Sequence, residues 1–193
     1  MKVIHALAVS IFPACLAASI ASAQTYPNRP ITMVVAFPPG GADDATARIL
    51  QDPMQKALGQ PIVVENVGGA GGMIGAAKAA RAEPDGYTIL LHQDALAAGM
   101  TLYPNHTFDA EKGFVPIGHM LLAPAGTPRP IVNKLNAALR TALADAKLRK
   151  TFNDGGMDLY PDDQETPEAA NALLKSEIKL WGEVVRANHI ATE

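Results

Sequence analysis

The sequence predicts an α/β fold built on a single parallel sheet, and three observations carry that reading. Short apolar runs rich in β-branched residues recur at Ile31–Phe37, Pro61–Glu65 and Tyr87–Leu91. Stretches of helical composition separate them, and a strand–helix–strand order at this spacing implies parallel crossovers. The chain has 193 residues, 48% hydrophobic and 18% charged, enough for one domain with its own core and without the composition of a disordered segment.

The first residues stand apart from that fold. Met1–Lys2 is a short positive start, Val3 to Ile20 is almost wholly apolar, and Ala21-Ser22-Ala23 fits a small-x-small cleavage site. This is the layout of a secretory signal peptide over residues 1–23, which places the mature protein in the periplasm of a Gram-negative cell. Cys15, the single cysteine, lies inside that segment. The mature chain then has no thiol for a disulfide, a nucleophile or a thiolate metal site. Without Lys2 it carries 15 basic against 19 acidic residues, a net charge of −4. An acidic chain lacks the basic face that nucleic acid requires.

Ile31–Phe37 is nearly continuous in its apolar character, the mark of a strand buried on both faces, and Pro38-Pro39-Gly40-Gly41 ends it. Asp43 to Leu58 follows as a helix, with Ala47, Leu50, Met54 and Leu58 on one face and two aspartates in the first turn. Pro53 is expected to kink or shorten it. Pro61 to Glu65 is the second strand, Gly68–Gly72 turns the chain, Ile74 to Ala82 is a small-residue helix, and Tyr87–Leu91 is the third strand. Phe114 to Leu122 reads as one further, irregular strand. The last third is helical, with Thr127-Pro128 and Thr166-Pro167 each predicting an N-cap threonine before a first-turn proline. Met157–Tyr160 between those helices reads as a short strand.

Few residues could carry catalysis. Ser176 is the one serine of the mature chain and sits mid-helix, without the sharp elbow that a serine nucleophile needs. His92, His106, His119 and His189 show no metal-ligand spacing. Asp162, Asp163 and Glu165 read as capping or solvated charges before a helix. Gly69–Gly75 suggests a dinucleotide loop, but Ile74 stands where that motif needs glycine, so turn formation and close helix–sheet packing explain it better. No cofactor, no metal and no enzymatic activity are expected.

The first turn is more informative. Phe37, Pro39, Gly40, Gly41, Ala42, Asp43 and Asp44 join a buried strand to a helix N-terminus, where unpaired amides and the helix dipole favour an anion such as a carboxylate. His92 and Asp94, at the end of the third strand, are expected beside it, because ligands gather at the carboxyl ends of strands in open α/β sheets. The competing explanation is an ordinary connection capped by one of the aspartates.

The same residues carry a resemblance. Tyr26–Ile31, Phe37–Asp44 with Arg48, Leu58–Pro61, Val64–Asn66, Gly69–Gly72 with Ile74-Gly75, and Pro84–Thr88 occur in order. Phe108-Asp109, Phe114, Pro116–Gly118, Ala123–Pro128 and Trp181 complete the set. Together they resemble the Bug family, periplasmic solute-binding proteins of tripartite tricarboxylate transporters. The resemblance implies a lobe like domain 1 of a type II periplasmic binding protein fold, a small carboxylate ligand, and the transporter's membrane components as partners. In the family a second lobe closes over the ligand between two crossing strands. Here residues 24–120 and 121–193 read as the two parts of a first lobe, and the second lobe, on the order of a hundred residues, is absent. Asp43 stands where the family usually has a small hydroxyl residue, and Ala36 replaces a common proline. A truncated receptor with weak or lost binding follows. The alternative is a non-catalytic structural or interaction protein that self-associates through its exposed cleft side.

Overall fold

The computed structural model describes residues 25–191; the signal peptide expected over 1–23 lies outside the described residues. The chain runs β1 (Ile31–Val35), α1 (Ala42–Leu58), β2 (Ile62–Asn66), α2 (Met73–Ala80), β3 (Thr88–Leu91), α3 (Ala95–Leu102) and α4 (Ala110–Gly113). It continues through β4 (Phe114–Gly118), β5 (Leu121–Pro124), α5 (Arg129–Leu143), α6 (Ala146–Asp154) and α7 (Pro167–Ala187). One five-stranded sheet has the order β2-β1-β3-β5-β4. β1 is parallel to both neighbours, with Met33 opposite Val64 and Ile89.

The parallel expectation holds for those three strands and fails for the last two. Residues 114–122 form two strands, because the chain turns at His119–Met120 and β5 returns antiparallel to both β3 and β4. An all-parallel sheet is thereby corrected to a mixed one.

Period-two alternation in β1 sends side chains into two cores. Ile31, Met33 and Val35 pack with Leu50 and Met54 of α1, Leu135 and Leu139 of α5, and Phe152 of α6. Val34 and the following Ala36 pack with Met73, Leu90, Leu96, Phe114 and Leu122, under the half-buried Leu174 and Ile178 of α7. Burying each large aliphatic side chain contributes about 1.5–3 kcal/mol, so helices are held on both faces of the sheet.

Three local expectations are corrected. Pro53 does not shorten α1, which runs to Leu58 and stops at Gly59 in the left-handed conformation (φ 70°). Leu50 and Met54, one on each side of the proline, are fully buried, and that packing outweighs the lost hydrogen bond. Thr127 is not an N-cap: its hydroxyl donates to Pro124 O at 2.8 Å, and Pro128 occupies the cap position. Thr166 does cap, its Oγ1 accepting from Ala169 N–H at 3.1 Å. Met157–Tyr160 is irregular rather than a strand and joins no sheet.

Two glutamines of α1 fasten β2 at its start. Gln51 Nε2 donates to Ile62 O at 2.7 Å, and Gln55 Oε1 accepts from Ile62 N–H at 2.8 Å. Register between α1 and β2 is therefore set by side chains as well as by burial, and the turn between β1 and α1 inherits a rigid base.

Candidate functional site

The β1–α1 turn is held from below and open above. Asn66 Nδ2 donates to Phe37 O at 3.0 Å, and Gly68 lies so close to Pro38 that a Cβ there would sit 3.1 Å from the proline ring. Pro39, Gly40, Gly41 and Ala42 are exposed, while Asp43 and Asp44 are buried. Gly40 has φ +85°, a backbone region in which a side chain is strained.

The first helical bond runs from Ala45 N–H to Gly41 O at 3.0 Å, and no side chain caps the helix. The amides ahead of it therefore remain donors at the positive end of the helix dipole. One donor expected to be available is not: Gly40 N–H donates to Asp44 Oδ2 at 2.9 Å. Arg48 Nε donates to the same oxygen at 3.0 Å. The Arg48 guanidinium, followed by the Gly40 amide, holds the Asp44 carboxyl down at about 2. Asp44 is thus ionised and balanced by Arg48.

Asp43 is different. Burial raises its pKa, and no hydrogen bond reaches its carboxyl among the described residues. Its charge opposes an anion at the helix tip without a local counterion. Replacing it with asparagine is expected to tighten binding of a carboxylate such as succinate about two- to fivefold at pH 7, the order of the Coulomb repulsion removed with one nearby charge in a wet site. Titration calorimetry of D43N beside the parent checks this. Because the raised pKa favours the folded state only under acid conditions, D43N should also be the more stable protein at neutral pH.

The structure places His92 behind Phe37, the two rings meeting edge to face at 5.8 Å. Its Nδ1–H donates to Gln93 O at 2.7 Å, and Nε2 is buried without a partner. Burial pushes its pKa down to about 4, so at neutral pH it offers an anion no charge. Its proton linkage has a definite sign. The unfolded imidazole takes a proton near 6.5 and the folded one only near 4, so the unfolded state binds more protons between those values. Stability from His92, about 3 kcal/mol, is complete above pH 6.5 and lost as the pH falls toward 4. The Asp44 contribution goes at lower pH, as its carboxyl is protonated between 3.8 and about 2. Denaturant midpoints of H92Q should therefore fall less than those of the parent between pH 6.5 and 4, and follow it below.

Asp94 is exposed, and the cavity it lines includes no residue of the turn. That cavity, of about 50 Å³ and shared with His92, His119 and Glu177, has room for a few waters. Beside that cavity the sequence reading missed a buried pair. Glu165 is 3% exposed rather than solvated, and its Oε2 faces His119 Nδ1 at 3.3 Å. Tyr160 stacks on the His119 ring at 3.8 Å. Forty-six positions separate His119 from Glu165, and no local pattern joins them. Ser176 donates to Leu173 O within its own helix.

The glycine loop after β2 proves to be a packing device. A Cβ on Gly75 would lie 2.4 Å from Val67 O and 2.9 Å from Ala36 Cα, and one on Gly71 would strike the Tyr103 ring. Among the described residues no helix is long and apolar enough to cross a membrane.

Comparison with known proteins adds the lineage. Residues 46–121 and 112–190 match the model of a family described as tripartite tricarboxylate transporter family receptor. Protein BugT of Bordetella pertussis is 39% identical over 143 residues, covering 72% of this chain and 44% of BugT. The chain thus spans less than half the length of that relative. Among solved structures, the periplasmic binding protein BugD superposes with a TM-score of 0.83 at 23% identity, covering 86% of this chain and 100% of BugD. MatC from Rhodopseudomonas palustris with bound malate gives 0.79 at 22% identity, covering 83% of this chain and 100% of MatC. At these identities the two structures establish the shared fold.

Proposed function

The chain belongs to the tripartite tricarboxylate transporter receptor family, and from that premise we propose that it is an exported solute-binding protein that takes a small carboxylate at the tip of α1. The observation that carries this reading is the uncapped helix N-terminus at the exposed Gly40–Ala42 turn. The amides from Gly41 to Asp44 would donate to the ligand's carboxylate, and Phe37 would supply an apolar edge. Arg48 acts indirectly, by cancelling the Asp44 charge that would otherwise repel the ligand. The malate held by MatC supports the ligand class.

His92 has a supporting role on this reading, as the neutral filler that sets Phe37. Asp94 lies outside the contact set. On this reading the chain is one lobe, and the part of BugT it does not span includes a second lobe that would sit between β4 and β5. An open tip leaves most of a ligand wet, short of the roughly 70–90% burial usual for a small-molecule pocket. Affinity is accordingly millimolar, of the order expected when few ligand atoms are enclosed. Isothermal titration against mono-, di- and tricarboxylates tests the proposal. Weak, saturable heat from carboxylates and none from their amides supports it; no heat from any carboxylate would remove it.

A further inference from the structure

A second concave site lies on the far side of the glycine loop, between α2 and residues 103–107. It is a groove of about 420 Å³, within the range of small-molecule pockets. Its walls are largely apolar: Met73, Ile74 and Ala77 on one side, Tyr103 and Pro104 on the other. Ile74 is 54% exposed, unlike the buried Met73, Ala76 and Ala77 of the same helix. A large aliphatic side chain is thus left without cover where a cavity opens.

Arg81 is the one arginine, lysine or carboxylate in the groove's lining, beside Asn105, His106 and Thr107. Its Nη1 donates to Thr107 Oγ1 at 3.0 Å. That bond orients the guanidinium without neutralising it. Arg29, Arg48, Arg129 and Arg140 each hold a carboxylate, whereas Arg81 has no acidic partner among the described residues. The Tyr103 hydroxyl also has no hydrogen-bond partner among the described residues, although it adjoins the close approach of Gly71. An oriented planar cation, a phenol donor and apolar walls favour a carboxylate with an apolar body over a sugar or a cation.

We infer that this groove binds an amphipathic monocarboxylate, aliphatic or aromatic, with its acid on Arg81 and its body against Ile74 and Tyr103. The site differs from the α1 tip in location and in chemistry. The tip offers backbone amides to a small polar acid, and the groove offers a guanidinium and apolar surface to a greasy one. Ala70, which lines the groove, belongs to the loop whose Gly68 packs on Pro38.

Amide-resolved NMR titration of the mature chain with benzoate, hexanoate and the neutral benzamide tests the inference. Benzoate and hexanoate should give saturable shifts centred on Ala70–Ala77 and Tyr103–Thr107, with benzamide weaker by about two- to fivefold, the worth of an ion pair to the exposed Arg81. R81Q should weaken both acids by the same two- to fivefold, roughly, and leave benzamide unchanged. I74E, altering an exposed position, should weaken all three probes. Thermal melts of both variants matching the parent would show that the fold is retained. Absence of saturable shifts, shifts confined to Gly40–Asp44, or equal benzoate affinity in R81Q would each overturn the inference.

Discussion

A second lobe inserted between Met120 and Leu121 is expected to tighten carboxylate binding by about two orders of magnitude, from millimolar toward ten micromolar. The point of insertion follows from the strands. β4 and β5 lie antiparallel at the sheet edge, joined by two residues, with an irregular register between Pro116 and Gly118. In a two-lobed receptor such strands would lead out to the second lobe and back. BugT is more than twice as long as the stretch it shares with this chain. Enclosing a ligand that now lies open would remove roughly another 100 Å² from water, about 2.5 kcal/mol, and this accounts for the factor of about a hundred. The test is calorimetric titration of the parent and of a graft carrying the intervening lobe of a longer relative, against one carboxylate panel. A folded graft that binds no tighter than the parent would mean that enclosure is not what limits affinity.

The largest expected effect on stability comes from Gly75→Val. Gly75 has no unusual backbone conformation; its constraint is proximity. A Cβ would meet Val67 O at 2.4 Å and Ala36 Cα at 2.9 Å, both backbone atoms that cannot rotate away. α2 must therefore lift off β1 and β2, exposing Met73 and Ala76, which are now buried. The loss should exceed about 4 kcal/mol, in the range where a marginal domain unfolds. Gly59→Ala is the comparison, since nothing lies within 4 Å and only the positive φ resists it. That change should cost about 1–2 kcal/mol. Denaturation followed by circular dichroism separates the two. A G75V protein as stable as G59A would show that the glycine is not a packing contact.

How far the fold was legible depends on what each element needs. β1 was plain, because Ile31–Val35 is apolar on both faces and requires no partner to be recognised. The antiparallel return of β5 was hidden, since pairing direction depends on a turn at His119–Met120 that has no distinctive turn residues. α3, an alanine-rich stretch from Ala95 to Leu102, lacks the periodicity that marks a surface helix and went unread. Thr127 and Thr166 have the same Thr-Pro signature, yet Thr127 gives its hydroxyl to Pro124 O, a choice set by the turn before it. At the site, the glycines and the helix start could be read from spacing. The capture of Gly40 N–H by Asp44 could not, because it depends on Arg48 drawing that carboxylate into place. His119 and Glu165 meet only through the sheet edge and the segment leading into α7.

On the proposed reading α1 presents an anion site with one wall, and amide NMR shifts during titration of residues 24–193 with malate probe that site. Progressive shifts of the Gly41–Asp44 amides are expected, with a dissociation constant of about 1 mM or weaker and tighter binding in D43N. Submicromolar binding by the lone chain, or saturation that leaves those four amides unmoved, would contradict that reading.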